Sequence, residues 1–294
     1  MKKKEVVLTL IVLILSGIAA LIGLLSSTGA HPFSFTSITG EIVTIYGNGL
    51  YQRDSIQIVA QGLASDLITL VLAIPVTLVA LYYTIKKSFK GSLVLTGMLG
   101  YFLYTYTSYV FLWNYNRLFI VYVIIMSLSF FAFVLRMVSF DLSTVKNHFT
   151  DRLNIKTIAG FQLFVTVMIG LLWLSKLTPT WFGTLAPFGL EHYTTLVIQA
   201  LDLGFVLPVA VISAIMLIRR QAMGYLLSSI VLVKDIALLT SITAMSINMM
   251  MQGVQTSVVE VGIFFVLDVL GIFVFALLLS QIKKSKTQNA LSEY

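Results

Sequence analysis

Cysteine is absent from the 294 residues, and only three histidines occur, at positions 31, 148 and 192. The absence of cysteine excludes disulfides, thiol catalysis and cysteine metal sites. The scarcity of histidine disfavours a histidine-rich metal centre. We therefore expect no metal and no cofactor. Two outer-loop pairs, His192 with Glu191 and His31 with Glu41, leave zinc binding as a minor alternative, because their spacing matches no metal motif.

Enzyme motifs are also missing. The chain has no HExxH, GxSxG, P-loop or Rossmann glycine pattern, so no catalytic residue is assigned. Asp202 and Asp235 could in principle form the pair of an intramembrane aspartyl protease, but the residues around them do not resemble the YD and GxGD signatures of such proteases. Catalysis is therefore disfavoured.

Charged residues make up only 11% of the chain, whereas hydrophobic residues make up 58% and the mean hydropathy is +0.97. Apolar runs of about 18 or more residues are typical of membrane-spanning helices. Helix is the expected state there because a helix pairs its own backbone N–H and C=O groups, which hydrocarbon cannot pair. The sequence predicts an all-α, polytopic bundle that forms a single transmembrane domain over 1–282, with a polar tail at 283–294. The eight predicted helices cover about 6–28, 65–85, 92–112, 118–136, 158–175, 195–218, 223–246 and 258–281.

The net charge of +7 is a topology signal. Fifteen of the 19 Lys and Arg residues fall in the tails and connections on one side of the predicted helices, and three fall on the other side. Such a bias predicts that both termini are cytoplasmic, in a plasma or inner cell membrane. The lipid bilayer is then the expected partner, no nucleic acid is expected, and the sequence identifies no protein partner.

The first apolar run has an alternative interpretation. A Lys-rich start, the run 6–25 and the small residues up to Ala30 resemble a signal peptide. The run is longer than a signal core of 7–15 residues, which favours a retained helix. Cleavage near Ala30 would leave seven helices.

Two connections carry local signals. Segment 41–52 alternates and contains a Gly-Asn-Gly turn, which predicts a small extracytoplasmic β-hairpin between the first two helices. Asp54 and Ser55 can cap the helix that follows. Segment 137–157 either lies on the inner membrane surface or is a solvated connection.

The two halves of the chain resemble each other at an offset of 133 residues. Pro75 aligns with Pro208, the pair Lys86–Lys87 with the pair Arg219–Arg220, and Gly91 with Gly224. This pattern favours a parallel repeat of four plus four helices, related by an axis along the membrane normal. Chance alignment of apolar sequence is the alternative. Pro75 and Pro208 should kink their helices at matching positions, as in transporter sites.

Polar residues deep in the predicted helices are the candidate site. A charge at the centre of a membrane helix costs roughly 2.5–3.5 kcal/mol, so several such groups indicate a function or a structural network. We expect Lys234 to form an ion pair with Asp202 or Asp268, and we expect Asp235, about 100° away around the helix, to need another partner. The candidate substrate or proton site comprises Asp66, Tyr101, Gln199, Asp202, Lys234, Asp235 and Asp268.

Four stretches resemble a known group: GNGLYQRDS at 47–55, GYFLYTYTSY at 100–109, HYTTLVIQALDLGFVLP at 192–208 and GYLLSSIVLVKD at 224–235. They are similar to segments of an uncharacterised group of bacterial multi-pass membrane proteins with about eight helices. The resemblance covers about residues 40–250. It implies a membrane fold and implies no activity or cofactor.

Four acids against one lysine suit a small polar or cationic solute, and a buried carboxylate suits proton coupling. The sequence therefore favours a transporter or binder of such a solute, with a small molecule or ion as ligand. The second hypothesis is a non-catalytic membrane subunit or sensor whose buried charges are structural. The third is a membrane enzyme that acts on a lipid-linked substrate.

Overall fold

A computed structural model describes residues 1–283, so the predicted tail lies almost wholly outside the described residues. The structure is helical apart from one small sheet. In chain order its elements are α1 (Lys3–Leu25), β1 (Phe33–Thr36), β2 (Ile42–Ile45), α2 (Ile56–Ile68), α3 (Ile74–Ile85), α4 (Phe89–Phe111), α5 (Phe119–Val138), α6 (Leu142–Val145), α7 (Ile155–Trp181), α8 (Val197–Leu201), α9 (Leu207–Ile218), α10 (Ala222–Met251) and α11 (Val258–Ser280).

Seven helical stretches are long and apolar enough to cross a membrane: α1, the stretch Ile56–Ile85, α5, α7, the stretch Val197–Ile218, α10 and α11. The prediction of a multi-pass helical protein is confirmed at this level. The remaining predicted segment, 92–112, also forms a helix, α4, which is 23 residues long. Its tyrosines, threonines and serines make it more polar, and it packs against α3, α5 and α10.

The bundle has two ends, which we name by their contents. The hairpin face comprises residues 26–55, 112–118, 182–196 and 252–257. The basic face comprises residues 1–4, 86–90, 139–154, 219–221 and 281–283. Contacts between segments define each face. On the hairpin face the backbone N–H of Asn114 donates to Asp54 at 2.9 Å. On the basic face the backbone N–H of Lys283 donates to the carbonyl of His148 at 2.8 Å.

Two helical stretches contain a π-helical turn where the sequence predicts a disturbance. Residues Thr69–Ala73 join α2 to α3, and residues Asp202–Val206 join α8 to α9. Each turn directly precedes a proline, Pro75 or Pro208, at the second position of the next helix. Proline has no N–H and crowds the preceding turn, and a wider turn with one extra residue accommodates it.

The same arrangement follows both turns at the 133-residue offset. α3 and α9 are each 12 residues long, and each ends in a turn with one left-handed residue, Lys87 (φ 62°) or Arg220 (φ 54°). The next helix then passes close to the previous one at a glycine. A methyl group on Gly91 would lie 2.7 Å from the Tyr83 side chain, and one on Gly224 would overlap the backbone of Met216 and Leu217.

Helix contacts are also alike in the two halves. In the first half α1 packs on α2 and α5, and α4 packs on α3 and α5. In the second half α7 packs on α9 and α11, and α10 packs on α9 and α11. α10 additionally crosses to the first half and packs on α2 and α4. This central helix is the main contact between the halves.

The predicted hairpin exists as a two-stranded antiparallel sheet, but the position predicted for it, 41–52, is wrong. β2 pairs with β1, which precedes it, and Phe33 lies opposite Ile45. The Gly-Asn-Gly segment instead packs on the end of α1, where the Asn48 side chain accepts from the backbone N–H of Thr28 at 2.7 Å. That contact uses the turn residues to hold the loop on the helix, so they do not connect two strands.

A buried ion pair on the basic side was not predicted. Arg136 near the end of α5 donates to Glu5 in the first turn of α1 at 3.0 Å, and both side chains are almost fully buried. Arg136 is one of the fifteen basic residues that indicate the topology, and Glu5 follows three lysines. Nothing in the sequence therefore predicted that either side chain is buried. The pair joins the first and fourth long helices of the first half.

Candidate functional site

A cavity of about 260 Å³ lies between the two halves. It extends from Gln57 and Trp113 near the hairpin face to Asp202 and Asp235 at the middle of the bundle. Its walls come from α2, α4, α7, the stretch Val197–Ile218, α10 and α11. The rings that line it are Tyr104, Tyr109, Trp113, Trp173, Phe188, Tyr193 and Phe264.

Asp202 is the first residue of the second π-helical turn and lies on the cavity wall. Its carboxylate accepts two hydrogen bonds from neutral groups, the Tyr104 hydroxyl at 2.8 Å and the Trp173 indole N–H at 2.9 Å. Among residues 1–283 no Lys, Arg or His nitrogen lies within 4.0 Å of it. Asp202 is therefore a buried carboxylate without a cationic partner, next to an open space.

Lys234 pairs with its own sequence neighbour. Its amine lies 2.9 Å from the Asp235 carboxylate. The predicted ion pair with Asp202 or Asp268 is wrong, and so is the expectation that Asp235 needs a different partner. The approximately 100° angle separates the two Cβ atoms, but the four-carbon lysine stem is long and flexible enough to fold back to the adjacent carboxylate.

Tyr104 connects the ion pair to Asp202. The Lys234 amine lies 5.2 Å from the centre of the Tyr104 ring, a cation–π distance, while the hydroxyl of the same ring donates to Asp202. The lysine thus polarises the donor of Asp202 and is itself neutralised by Asp235. The structure brings Asp202, Lys234 and Asp235 together through Tyr104, which was not among the predicted site residues.

Gln199 lines the cavity one turn before Asp202. Two further glutamines, Gln57 and Gln61, line it from α2. The glutamines, the Asp202 carboxylate and the aromatic rings give the cavity several polar groups in a largely apolar wall. This composition is typical of a site for a small ligand.

Asp66 is buried away from the cavity. Both of its oxygens accept from tyrosines, Tyr51 at 2.6 Å and Tyr109 at 2.9 Å. Gly23 of α1 packs directly on this group, so that a methyl group there would overlap the Asp66 carboxylate. Asp66 thereby connects α1, the segment 26–55, α2 and α4.

Asp268 also lies outside the cavity lining. Its carboxylate accepts from the Thr240 hydroxyl at 2.9 Å, between α10 and α11. The side chain is largely buried, with 8% of the residue exposed. It is separate from the group around Asp202.

Tyr101 is fully buried below the cavity. Its hydroxyl lies among those of Ser241, Thr105, Thr69 and Ser65. Within the described chain, neither the Tyr101 hydroxyl nor the Ser241 hydroxyl makes a well-formed hydrogen bond. This hydroxyl group lies beside the first π-helical turn and is adjacent to the cavity residues Ser65 and Ser241.

Trp173 was not among the predicted site residues, and its bond to Asp202 places it at the candidate site. The pairing depends on how α7 packs on α9, the helix that follows the second π-helical turn, and no sequence spacing encodes that packing. Lys176, one turn further on, lies 5.2 Å from the Trp173 ring and 5.8 Å from the Phe188 ring. These aromatic side chains enclose the cavity on the α7 side.

A second polar network closes the hairpin face. Asp54 accepts from the Asn114 backbone and side chain at 2.9 and 3.1 Å, and from the Tyr193 hydroxyl at 3.1 Å. Burial raises the pKa of Asp54 to about 6, and the hydrogen bonds oppose the shift. Of the two predicted cap residues, only Ser55 caps α2, where it accepts from the backbone of Ile58. Asp54 instead holds the loops together.

The Ser55 hydroxyl also donates to Glu191 at 2.5 Å, so segment 182–196 is attached to the start of α2. Burial raises the pKa of the Glu191 carboxyl. His192 shares the network through the Asn114 side chain at 3.0 Å. No group of three His, Asp or Glu residues within 1–283 has a geometry suited to a metal, and the zinc alternative receives no support.

The seven long, apolar helical stretches are compatible with a multi-pass membrane protein. No family model, curated protein or solved structure matches the chain. The resemblance to a bacterial multi-pass group stays a prediction, and the function must be argued from the residues.

Proposed function

We propose that the protein binds a small cationic or polar solute in the central cavity and carries it across the membrane. The observation that carries this proposal is Asp202, a carboxylate on the wall of an aromatic-lined cavity whose neighbouring donors are neutral. A positive charge on the solute, or a proton, would balance the carboxylate. The faces of Tyr104 and Trp173 would add cation–π attraction.

Asp202 would be the group that solute and proton share. A carrier needs a site that binds and releases its ligand. A permanent cation beside the carboxylate would compete with a cationic solute for that carboxylate. Lys234 does not compete directly, because Asp235 neutralises it at 2.9 Å. Gln199 supplies a nearby amide for a polar group of the solute. Asp66 and Asp268, which lie outside the cavity lining, would have structural roles.

The proposed topology has eight spans in a plasma or inner cell membrane. Seven stretches qualify by length and apolarity, and α4 lies between two of them, from the basic face to the hairpin face. A chain that crosses with α3 and again with α5 must also cross with α4. The basic face would be cytoplasmic because Lys and Arg are concentrated there.

The proposed architecture is a parallel repeat of four plus four helices. Its support is the set of features repeated at 133 residues: the π-helical turns, the left-handed residues Lys87 and Arg220, and the close glycines. Helix orders and contacts alike in both halves also favour an axis along the membrane normal. The cavity would then lie beside this axis.

The test is uptake by purified protein in liposomes, with and without a pH gradient, using a panel of small organic cations and neutral polar solutes. We expect uptake of a cationic solute, and we expect Asp202→Asn to reduce it at least tenfold. Asp268→Asn is the matched control, because it makes the same change in another buried aspartate outside the cavity. It should leave uptake within about twofold of the unchanged protein.

Equal loss in both variants, with both still folded by thermal unfolding, would show that Asp202 has no special role. No uptake of any solute by the folded, correctly oriented protein would overturn the proposal itself. Measurement of solute binding by calorimetry separates a binder from a carrier.

A second candidate is a non-catalytic subunit or sensor. The observation in its favour is the hairpin, whose outer surface is apolar: Phe33, Phe35, Ile38 and Ile42 are 45–103% exposed. Such an exposed group of large apolar side chains is typical of a protein or membrane contact. Absence of uptake, together with loss of a cellular phenotype on replacing these four residues by serine, would favour this alternative.

A further inference from the structure

A second cavity, of about 320 Å³, opens on the basic face. Three segments form it: the connection 146–155, the α9–α10 turn at Arg220, and the end of α11 at Lys283. Thr150 and the buried Tyr225 add hydroxyl groups. Nothing in the central cavity involves these residues.

The chain holds these segments in place. Val145 and Phe149 are buried in the core, so the predicted connection 137–157 is anchored there. The backbone N–H of Thr150 donates to the Gln281 carbonyl at 2.9 Å, and that of Lys283 donates to the His148 carbonyl at 2.8 Å. Backbone hydrogen bonds therefore hold the segments that carry Lys146 and Lys283 next to each other.

Arg220 is held in a third way. It has a left-handed backbone, and two hydrogen bonds hold this turn: the backbone N–H of Arg220 donates to the Leu217 carbonyl at 2.9 Å, and that of Gln221 donates to the Met216 carbonyl at 3.0 Å. Its guanidinium can form two parallel hydrogen bonds to a tetrahedral oxyanion, which an ammonium cannot do.

The charge of the pocket is strongly one-sided. Lys146, Arg220 and Lys283 line it, and the one carboxylate in the lining is the exposed Asp151. The ion pairs within residues 1–283 are Arg136 with Glu5 and Lys234 with Asp235, so none of the three cations is neutralised there. Burial, and then the Lys283 charge, lower the pKa of the nearby His148.

We propose that this pocket binds the phosphate group of an anionic lipid headgroup. Three cations and two hydroxyls around one space match the charge and the several acceptor oxygens of a phosphate. The pocket lies at the helix ends, where the headgroups of the membrane lie. Basic pockets on the cytoplasmic side of membrane proteins attract anionic headgroups. The assignment to the cytoplasmic leaflet rests on the proposed topology, and the binding chemistry does not.

The first half supplies a matched control. Lys87 occupies the position equivalent to Arg220, has the same left-handed backbone and is exposed, but it lies outside this pocket. A variant of Lys87 removes one positive charge from the same face without touching the pocket. Specific binding and general attraction to a negative membrane can thus be distinguished.

The experiment uses the full chain in detergent with phosphatidylglycerol, cardiolipin or phosphatidylcholine added, with retained lipid measured by native mass spectrometry. The variants are Arg220→Gln, Lys146→Gln, Lys283→Gln and Lys87→Gln. We expect the anionic lipids to bind more tightly than phosphatidylcholine. Each pocket variant should weaken anionic-lipid binding about fivefold, from about 1 kcal/mol per cation, and Lys87→Gln should leave it unchanged.

A second arm adds inorganic phosphate. Displacement of the lipid by millimolar phosphate supports the same phosphate chemistry, and phosphate binding without lipid binding overturns the lipid assignment. Equal weakening by Arg220→Gln and Lys87→Gln overturns the pocket, as does equal binding of phosphatidylcholine. Thermal unfolding of each variant separates lost binding from lost folding, and the result is independent of solute uptake.

Discussion

The two π-helical turns have the same backbone and different surroundings. Near the first, Asp66 is sealed by two tyrosine hydroxyls; at the second, Asp202 faces a cavity. The helix before the turn accounts for much of this contrast. α2 contains 13 residues and packs on α10, whereas its counterpart α8 contains five. The eight missing residues correspond to about 12 Å of helix, which leaves room for the cavity.

The comparison shows that one supersecondary unit can have two different surroundings within a chain, one filled by tyrosines and one beside a cavity. A proline with a π-helical turn can leave backbone groups without their usual partners wherever it occurs. Whether a cavity lies beside a turn depends on what packs there. In the first half Tyr51 and Tyr109 fill the space, and in the second half the space stays open.

The largest expected effect separates the two aspartates. Asp66→Leu leaves two buried tyrosine hydroxyls without an acceptor, and we expect a loss of about 2–6 kcal/mol in the free energy of unfolding. Asp202→Leu should cost about 1 kcal/mol or less, because water in the cavity can replace the lost acceptor. Denaturant or thermal unfolding in one detergent measures both. Equal losses would remove the distinction between the two halves.

The next effect concerns the network that ties the halves together on the hairpin face. The pKa of Asp54 is about 6 in the folded protein, against an ordinary 3.8. The folded state therefore holds the proton more tightly, so this group's contribution to stability is greatest below about pH 4 and is lost as the pH rises to about 6. At about 1.4 kcal/mol per pKa unit, the change is about 3 kcal/mol.

Asp54→Asn tests this prediction, since asparagine retains an acceptor for Asn114 and Tyr193 but does not titrate. The variant should match the unchanged protein near pH 4 and be more stable at pH 8. Unfolding curves at several pH values provide the measurement. A variant with the same pH slope as the unchanged protein would assign the slope to other groups, such as Glu191.

The smallest expected effect tests whether the two halves share a close helix approach at a glycine. Gly91→Ala and Gly224→Ala should each destabilise the protein by about 1–3 kcal/mol through overpacking. Gly224→Ala should cost more, because its methyl group would lie 2.3 Å from backbone atoms, whereas the nearest atom to a methyl group on Gly91 lies at 2.7 Å. Gly160→Ala is the control, as nothing lies within 4 Å of the added atom. If only one of the two glycines is sensitive, the close helix crossing is not shared.

The sequence predicted the helices well, because long Leu, Ile and Val runs leave little choice of conformation in a membrane. It also predicted that Pro75 and Pro208 disturb their helices. The hairpin was misplaced because Asn48 bonds to Thr28, just after α1, a contact between residues 20 positions apart in the chain. Hydrophobic periodicity describes a single helix or strand, whereas such tertiary contacts depend on the positions of several segments.

The candidate site could be predicted only in part, because its contacts also depend on several segments. Asp202, Lys234, Asp235 and Gln199 are polar residues in apolar runs, and they lie at or beside the cavity. Tyr104 and Trp173 were not among the predicted site residues, because only the packing of α4 and α7 turns them toward Asp202. The Lys234 partner was wrong because helix angles locate Cβ atoms, whereas the ion pair is made at the end of a long side chain.

The ion pair between Glu5 and Arg136 has a consequence for biogenesis. Its partners are 131 residues apart, so the acid of the first helix enters the membrane long before its arginine is synthesised. When residue 136 emerges, the first four long helices can close their ring while the other half is still on the ribosome. We therefore expect the first half to assemble first and the central helix of the second half to pack against it afterwards.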